Sequence, residues 1–240
     1  VQTNLLKKLH ALGKPVILVL MNGSAVAVNW ADENLPAILE AWYPGQDGGT
    51  AIADVLFGDY NPAGRLPVTF YRSADQLPPF EDYNMQGRTY RYFNGDPLYR
   101  FGHGLSYTTF RYSNLRLPTK ISTTDSLVVE ADITNSGSMA GDEVVQVYVR
   151  HETGDVLVPI HALQAFRRIH LESGETKTVS FVLKAKNLCV INKSGQRIVK
   201  PEILQMFVGG KQPSDEATGV LSGSVELTGE EYKIERISVK

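Results

Sequence analysis

The sequence predicts an α/β region followed by an all-β region, and two patterns carry this prediction. Within residues 1–57, leucines at helical spacing alternate with short continuous apolar runs, which are typical of parallel strands buried on both faces. From about Leu127, apolar residues instead recur at every second position, and turn clusters separate the runs. We therefore place a domain boundary near Leu117-Pro118, giving domains 1–117 and 118–240.

The composition and charge are those of a globular protein and argue against nucleic-acid and membrane partners. The 240 residues are 42% hydrophobic and 21% charged with a formal net charge of −2, which is typical of a globular protein without the basic face that nucleic acids require. The longest apolar run, 15–21, is much shorter than the roughly 20 residues of a membrane helix. We expect neither a nucleic-acid nor a membrane partner. A single cysteine, Cys189, allows no intrachain disulfide.

Two successive β-turn-α units are expected in the first region. We predict helices at 3–12 and 50–56, the second ended by Gly58, and strands at 16–21 and 37–42. Turns are expected at 22–24, which could also cap a helix, and at 43–49. Such units form a parallel sheet. Because a stable open sheet needs about four strands or more, we infer that further strands come from preceding sequence or another polypeptide.

Residues 59–107 lose this periodicity and predict an irregular connector with short strands around 68–71 and 89–93. The all-β part predicts an antiparallel β-sandwich with three buried faces, formed by Leu127, Val129, Ala131 and Ile133, by Val145, Val147 and Val149, and by Val179, Phe181 and Leu183. The sandwich aromatics mostly occupy positions expected in the core, which disfavours a carbohydrate-binding module: Tyr148, Phe166, Phe181, Phe207 and Tyr232.

The candidate binding residues follow the two strands of the parallel sheet, because open α/β folds bind ligands at the carboxyl edge. Aromatic faces and polar side chains together suit a sugar. The substrate-edge candidates are Asn22, Ser24, Trp42, Tyr43 and Gln46. Packing against the core or another domain is the alternative for Trp42. The glycines of the second turn, Gly45, Gly48 and Gly49, lack a phosphate-loop signature and predict a tight turn.

The histidines, the possible nucleophiles and the remaining acidic residues show no sequence signature of a metal site or a catalytic group. The five histidines show no metal-ligand spacing, so we predict no metal site. No nucleophile signature accompanies Ser24, Ser106 or Cys189. Among the acids, Asp47 is expected to stabilise a helix N-terminus, and the Glu81-Asp82 pair is expected to be solvated.

Several longer motifs resemble one enzyme family. Residues 42–69 read WYPGQDGGTAIADVLFGDYNPAGRLPVT, and GRTYRYF at 87–93 and PLYRFGHGLSYTTF at 97–110 continue the match. These runs resemble the C-terminal α/β-sandwich domain of glycoside hydrolase family 3. The segments NSG at 135–137, AGDEVVQVYV at 140–149 and LESGE at 171–175 are similar to the fibronectin type III-like domain that ends many members.

The resemblance implies a partial parallel α/β sandwich, a long connector and a fibronectin type III-like antiparallel β-sandwich. It also implies retaining hydrolysis of a terminal β-D-glucosyl or β-D-xylosyl residue by two carboxylates, without a metal or organic cofactor. In the family the nucleophile lies in a preceding (α/β)8 barrel, and the acid/base lies before the strand matched by 16–21. We therefore assign no catalytic residue in this chain.

The implied partners are the remainder of the enzyme, with its catalytic barrel and the first part of the α/β sandwich, and an oligosaccharide or β-glycoside substrate. A homodimer is also left open. We expect the isolated chain to be inactive and poorly folded in its first hundred residues, while the residues from about Pro118 fold independently. The alternative is a non-catalytic module that scaffolds or pairs domains, with the β-sandwich as its working part.

Overall fold

The computed structural model describes residues 1–152, 156–214 and 219–234. The chain divides into two compact units. The first unit comprises Val1–Tyr60, Pro67–Thr89 and Phe93–Phe101, and the second comprises Asn61–Leu66, Tyr90–Tyr92 and the chain from Gly102 onward. An α/β region is followed by mostly antiparallel β-sheet, so the predicted fold class is confirmed. The boundary near Leu117-Pro118 stays a prediction.

The helices lie mainly in the first unit. They are α1 (Gln2–His10), α2 (Asn29–Asn34), α3 (Gly48–Phe57) and α4 (Thr89–Tyr92), with 3-10 turns at Ala74–Gln76 and Ala185–Asn187. Within the described residues, none of the helices has the length and hydropathy needed to cross a bilayer.

The strands fall into a parallel pair and three further sheets. They are β1 (Ile17–Leu20), β2 (Ala37–Glu40), β3 (Phe110–Arg116), β4 (Lys120–Ser122), β5 (Leu127–Asn135), β6 (Gly141–Arg150), β7 (Ala162–Leu171), β8 (Thr176–Leu183), β9 (Val190–Ile191), β10 (Arg197–Val199), β11 (Glu202–Gly209), β12 (Leu221–Thr228) and β13 (Tyr232–Lys233).

The predicted parallel pair and its flanking helices are present in the first unit. Strands β1 and β2 run parallel with Leu20 opposite Glu40, and α1 and α3 occupy the two predicted helical segments. Helix α3 ends as expected at Gly58, whose φ of 85° lies in the left-handed region that favours glycine. Asp47 occupies the N-cap of α3 without a side-chain capping hydrogen bond, so its carboxylate can act there only through its charge.

The turn at 22–24 caps no helix, so the capping role suggested by the sequence is wrong. Helix α2 begins at Asn29, and its N-cap residue is Val28. The Asn22 side chain instead donates to the carbonyl of Ser24 at 2.7 Å. Such local side-chain-to-backbone bonds compete with helix capping.

The connector contains less strand than predicted. Residues 89–92 form helix α4, so the strand expected at 89–93 is wrong; the Phe93 N–H donates to the Thr89 carbonyl at 3.0 Å, which is a helical contact. The strand expected around 68–71 is reduced to one antiparallel bridge between Phe70 and Tyr99.

The second unit is a β-sandwich with a small additional sheet. Its five-stranded sheet has the order β4-β12-β11-β6-β7, and its three-stranded sheet has the order β3-β5-β8. All these pairs are antiparallel except β4 with β12. A third sheet has the order β13-β10-β9.

The three predicted apolar faces form one core of the sandwich. Every predicted member is buried, from Leu127, Val129 and Ile133 at 0% exposure to Phe181 at 6%. The alternation of buried and exposed positions follows directly from the two-residue period of a strand. The predicted sandwich core is confirmed.

The prediction that the sandwich aromatics lie mostly in the core is only partly right. Tyr148 and Phe181 are buried, but Phe166 is 67% exposed and Tyr232 is 39% exposed. Phe207 is half-buried and alternates along β11 with the core residues Met206 and Val208, so its side chain points away from the core.

A short stretch of the connector, Asn61–Leu66, belongs to the second unit. Asn61 donates to the carbonyl of Ala140 at 3.0 Å, and its Oδ1 accepts from the Ser106 hydroxyl at 2.9 Å. Arg65 Nη2 lies 2.8 Å from Glu143 Oε2 on β6. These side-chain bonds fix the stretch to the β-sandwich despite its lack of regular structure.

Candidate functional site

The carboxyl edge of the β1–β2 pair brings the two predicted turns side by side. The Ala41 N–H donates to the Leu20 carbonyl at 2.9 Å, which extends the ladder one residue beyond the two strands. The chain then turns at Asn22 after β1 and at Trp42 after β2. This edge is where parallel sheets present side chains to a ligand.

Glu40 links the two turns at this edge. Its Oε1 accepts the backbone N–H of Trp42 at 3.0 Å, and its Oε2 accepts from Asn22 Nδ2 at 3.3 Å. Sequence reasoning missed Glu40. The available signal was a lone charged residue in the apolar run AILEAW, because a carboxylate at the end of a half-buried strand needs hydrogen-bond donors.

Asn22 has a fixed amide orientation and an unpaired oxygen. Its Nδ2 faces two acceptors, Glu40 Oε2 and the Ser24 carbonyl, so the amide nitrogen must occupy this position. Its Oδ1 is buried and accepts no hydrogen bond from the part of the chain that the structure describes. A water or a ligand hydroxyl is the type of donor that would satisfy this oxygen.

Trp42 is held in an unusual backbone conformation. Its φ is 50°, a region that bulky residues rarely adopt. The indole packs edge-on against Phe70 with the ring centroids 6.1 Å apart. This half-buried position fits the packing alternative for Trp42, whose part in binding stays a prediction.

Tyr43 presents an aromatic ring at the surface beside the first turn. The side chain is 79% exposed, and a Cβ atom built on Gly23 would lie 2.7 Å from its Cε2 atom. The ring therefore rests against the bare backbone of Gly23, and no other residue type fits there without a shift. Most of the ring remains accessible to a ligand.

The structure does not bring the other two candidates into contact with this group. Ser24 and Gln46 are exposed, and neither side chain forms a hydrogen bond within the described ranges. Gln46 lies in the turn before α3, where Gly45 has a φ of 72° and a Cβ on Gly48 would lie 2.6 Å from Pro44 Cγ. Gly45 and Gly48 therefore serve the tight backbone of this turn, whereas a Cβ on Gly49 would meet nothing within 4 Å.

The edge offers a ligand the exposed aromatic ring of Tyr43 and the buried amide oxygen of Asn22. Two of the three rejected nucleophiles have surroundings that do not activate them: the Ser106 hydroxyl donates to Asn61 Oδ1, and burial raises the pKa of the Cys189 thiol. No group of three or more potential metal ligands occurs among residues 1–152, 156–214 and 219–234.

Family models match two parts of the chain. Residues 1–107 match the glycosyl hydrolase family 3 C-terminal domain, and residues 143–212 match a fibronectin type III-like domain.

Two curated relatives match most of the chain. A beta-xylosidase of Formosa agariphila is 41% identical over 222 residues, which covers 90% of this chain and 31% of the relative. A periplasmic beta-glucosidase of Salmonella typhimurium is 40% identical over 239 residues, covering 94% of this chain and 31% of the relative. The chain thus spans less than a third of the length of either relative.

Two solved structures also match most of this chain over about a third of their own length. A beta-glucosidase from Listeria innocua in complex with glucose superposes with a TM-score of 0.83 at 32% identity, covering 95% of this chain and 33% of that chain. A b-glucosidase from Erythrobacter marinus superposes with a TM-score of 0.82 at 37% identity, covering 95% and 30%.

Proposed function

The chain carries a glycosyl hydrolase family 3 C-terminal domain followed by a fibronectin type III-like domain, and on this premise we propose that it is the rear segment of an exo-acting retaining β-glycosidase. The substrate is a terminal non-reducing β-D-glucosyl or β-D-xylosyl residue. The observation that carries the proposal is 40% to 41% identity over at least 90% of the chain to a beta-glucosidase and a beta-xylosidase.

The catalytic carboxylates are proposed to lie outside this chain. A retaining glycosidase needs an ionised nucleophile and a protonated acid about 5 Å apart across the scissile bond. Glu40, the carboxylate at the carboxyl edge, already accepts hydrogen bonds from within the protein on both oxygens. This arrangement supports a positioning role for Glu40 and leaves bond cleavage to other residues.

The first unit supports the proposal that the remainder of the enzyme packs against it. Helix α1 buries none of its residues, and its apolar side chains Leu5 and Leu9 are 58% and 40% exposed. Strands β1 and β2 have no fully buried residue, whereas strands of a parallel sheet are normally covered on both faces. Further strands and helices of the same α/β sandwich would cover these faces.

The carboxyl edge is the proposed contribution of this chain to substrate binding. Tyr43 offers an exposed ring, and Asn22 offers a buried oxygen without a donor among the described residues. Both groups suit a sugar, which combines apolar faces with many hydroxyl groups. Ser24, Trp42 and Gln46 remain candidates for the same surface. The edge-on packing of Trp42 against Phe70 gives this residue a structural role in the turn as well.

The proposal is tested with the natural polypeptide that carries this chain. Hydrolysis of nitrophenyl β-D-glucoside and β-D-xyloside is measured, and the anomer first released is identified by NMR. We expect release of the β-anomer and a preference that identifies the sugar. Inverted product, cleavage inside an oligosaccharide, or hydrolysis of neither glycoside would contradict the proposal.

A further inference from the structure

The β-sandwich of the second unit has a cleft of about 540 Å³ beside strands β6 and β11. Its walls are lined by Arg150, His151, Glu152, Gln205 and Phe207. The cleft therefore combines one aromatic ring with an amide, a guanidinium, a carboxylate and an imidazole. Polar groups that converge around an apolar surface are typical of small-ligand sites.

The β-ladder sets the spacing of three cleft residues. Gln205 lies directly opposite Arg150 in the β6–β11 pairing, so their side chains leave the sheet on the same face. Phe207 follows two residues along β11, which places it about 7 Å away on that face. An aromatic ring and two planar hydrogen-bonding groups thus form one row on a rigid sheet.

The ring of Phe207 is held in place from the side. The imidazole of His161 contacts it edge-to-face, with ring centroids 5.0 Å apart and an interplanar angle of 85°. His161 is itself buried. Because the ring is already fixed, little side-chain entropy is lost when a ligand packs on it.

A buried hydrogen bond between a histidine and a carboxylate fixes the floor of the cleft. His151 Nδ1 lies 3.0 Å from Glu202 Oε1, and the two side chains are 3% and 6% exposed. A carboxylate can only accept a hydrogen bond, so Nδ1 of His151 carries a proton and donates it to Glu202. The second oxygen, Glu202 Oε2, is buried and has no hydrogen-bond partner within the described part of the chain.

From this geometry we propose that the cleft binds a neutral sugar unit of a glycan. One face of the pyranose packs on Phe207, and its hydroxyls bond to Gln205, Arg150 and the imidazole of His151. Arg150 and Glu152 place opposite charges in the walls of one cleft, so an ionic ligand of either sign would meet a like charge. The site breaks no bond and goes beyond the proposed hydrolysis. It gives the β-sandwich a carbohydrate-binding role.

Affinity electrophoresis of the 240-residue chain tests this proposal without relying on hydrolysis. The protein is run in native gels containing soluble xylan, mixed-linkage β-glucan or, as an anionic control, polygalacturonate. We expect retardation by one or both neutral polymers. Arg150→Ala and Gln205→Ala should each weaken it by about tenfold, as expected for a lost ligand hydrogen bond. Phe166→Ala removes an exposed aromatic of the same sheet outside the cleft and should leave retardation unchanged.

Phe207→Ala should abolish retardation while thermal unfolding shows that the sandwich still melts cooperatively. Arg150→Ala and Gln205→Ala keep the test decisive if the Phe207 variant does not fold, because these two side chains are not part of the core. The proposal is overturned if neither neutral polymer retards the chain, if only polygalacturonate does, or if retardation survives in the Arg150 and Gln205 variants.

Discussion

The carboxylate of Glu40 accepts the backbone N–H of Trp42 at 3.0 Å, across the point where β2 ends and the chain turns. This contact helps to hold Trp42 at a φ of 50°, a conformation that costs energy for a bulky side chain. Through its second oxygen Glu40 also holds the amide of Asn22. One carboxylate therefore fixes the geometry of both turns at the candidate site.

Replacing Glu40 should disturb this edge. In Glu40→Ala, the Trp42 N–H and the Asn22 amide lose their acceptor, so we expect a loss of about 1–3 kcal/mol of stability and lower kcat/KM in the natural enzyme. Glu40→Gln should be intermediate, because its amide oxygen can still accept from Trp42 while its NH2 group meets the Asn22 donor. Melting curves and nitrophenyl glycoside assays measure both effects.

The matched control for this prediction is Glu81→Ala, which removes an exposed acid from the connector loop. It should change neither melting nor kcat/KM measurably. Equal behaviour of the Glu40 and Glu81 variants would contradict a positioning role for Glu40.

The buried ion pair between Arg65 and Glu143 should be much costlier to break than an exposed ion pair of the second unit. The two side chains are 9% and 3% exposed, and Glu143 Oε1 also accepts from the Tyr112 hydroxyl at 2.9 Å. Removing one partner leaves an uncompensated buried charge, so Arg65→Ala should cost about 3–5 kcal/mol in urea unfolding. Lys120→Ala, which breaks an exposed pair with Glu226, should cost less than about 1 kcal/mol. Similar losses in the two variants would refute this ranking.

Protonation of His170 should depend on Asp142. The hydrogen bond to Asp142, followed by that to Glu172, raises the pKa of His170 above its ordinary value. A raised folded-state pKa means that this contact stabilises the fold fully below the ordinary His pKa and is lost as pH rises through the folded-state pKa. An NMR titration of the imidazole should therefore show a raised pKa that falls in Asp142→Asn. An unchanged His170 pKa in that variant would contradict the assignment.

The pKa of Asp142 is shifted in the opposite direction. Partial burial raises its pKa, but the hydrogen bonds from His170 and Arg168 outweigh this effect and lower it overall. Its contribution to stability is present above the ordinary Asp pKa and is lost as pH falls through the lowered value. The contact between His170 and Asp142 should therefore stabilise the sandwich most at pH values between the ordinary Asp pKa and the ordinary His pKa.

The independent folding of the sandwich can be tested with two truncated chains. Strand β3 lies before the predicted boundary near Leu117-Pro118, yet it pairs with β5 and contributes Tyr112 to the core. A chain starting at Gly102 should therefore melt cooperatively and at a higher temperature than one starting at Pro118. Equal melting temperatures would mean that β3 adds no stability. Loss of cooperative melting in both chains would contradict independent folding.

The sequence was informative wherever side-chain periodicity determines structure. Alternating apolar residues such as Val145 and Val147 must share one face of a strand, so the sandwich core followed from the pattern alone. The carboxyl edge likewise followed from the order of strand and turn, which placed Asn22 and Trp42 next to each other.

Features that depend on contacts between distant segments could not be predicted in this way. Glu40 acquires its importance from Asn22, 18 residues away in the sequence. Phe207 was expected in the core, because an aromatic in a strand gives no sign of which face it occupies until the register is known. Arg65 stands in an irregular stretch, and its partner Glu143 lies 78 residues further along the chain.

We propose that this chain forms part of a β-glycosidase whose catalytic carboxylates lie elsewhere. The most direct measurement compares hydrolysis of nitrophenyl β-D-glucoside and β-D-xyloside by the purified 240-residue chain and by the natural polypeptide that carries it. We predict no hydrolysis above the buffer rate by the isolated chain and clear turnover of at least one glycoside by the natural polypeptide. Turnover by the rigorously purified chain, or none by the natural polypeptide, would contradict the account.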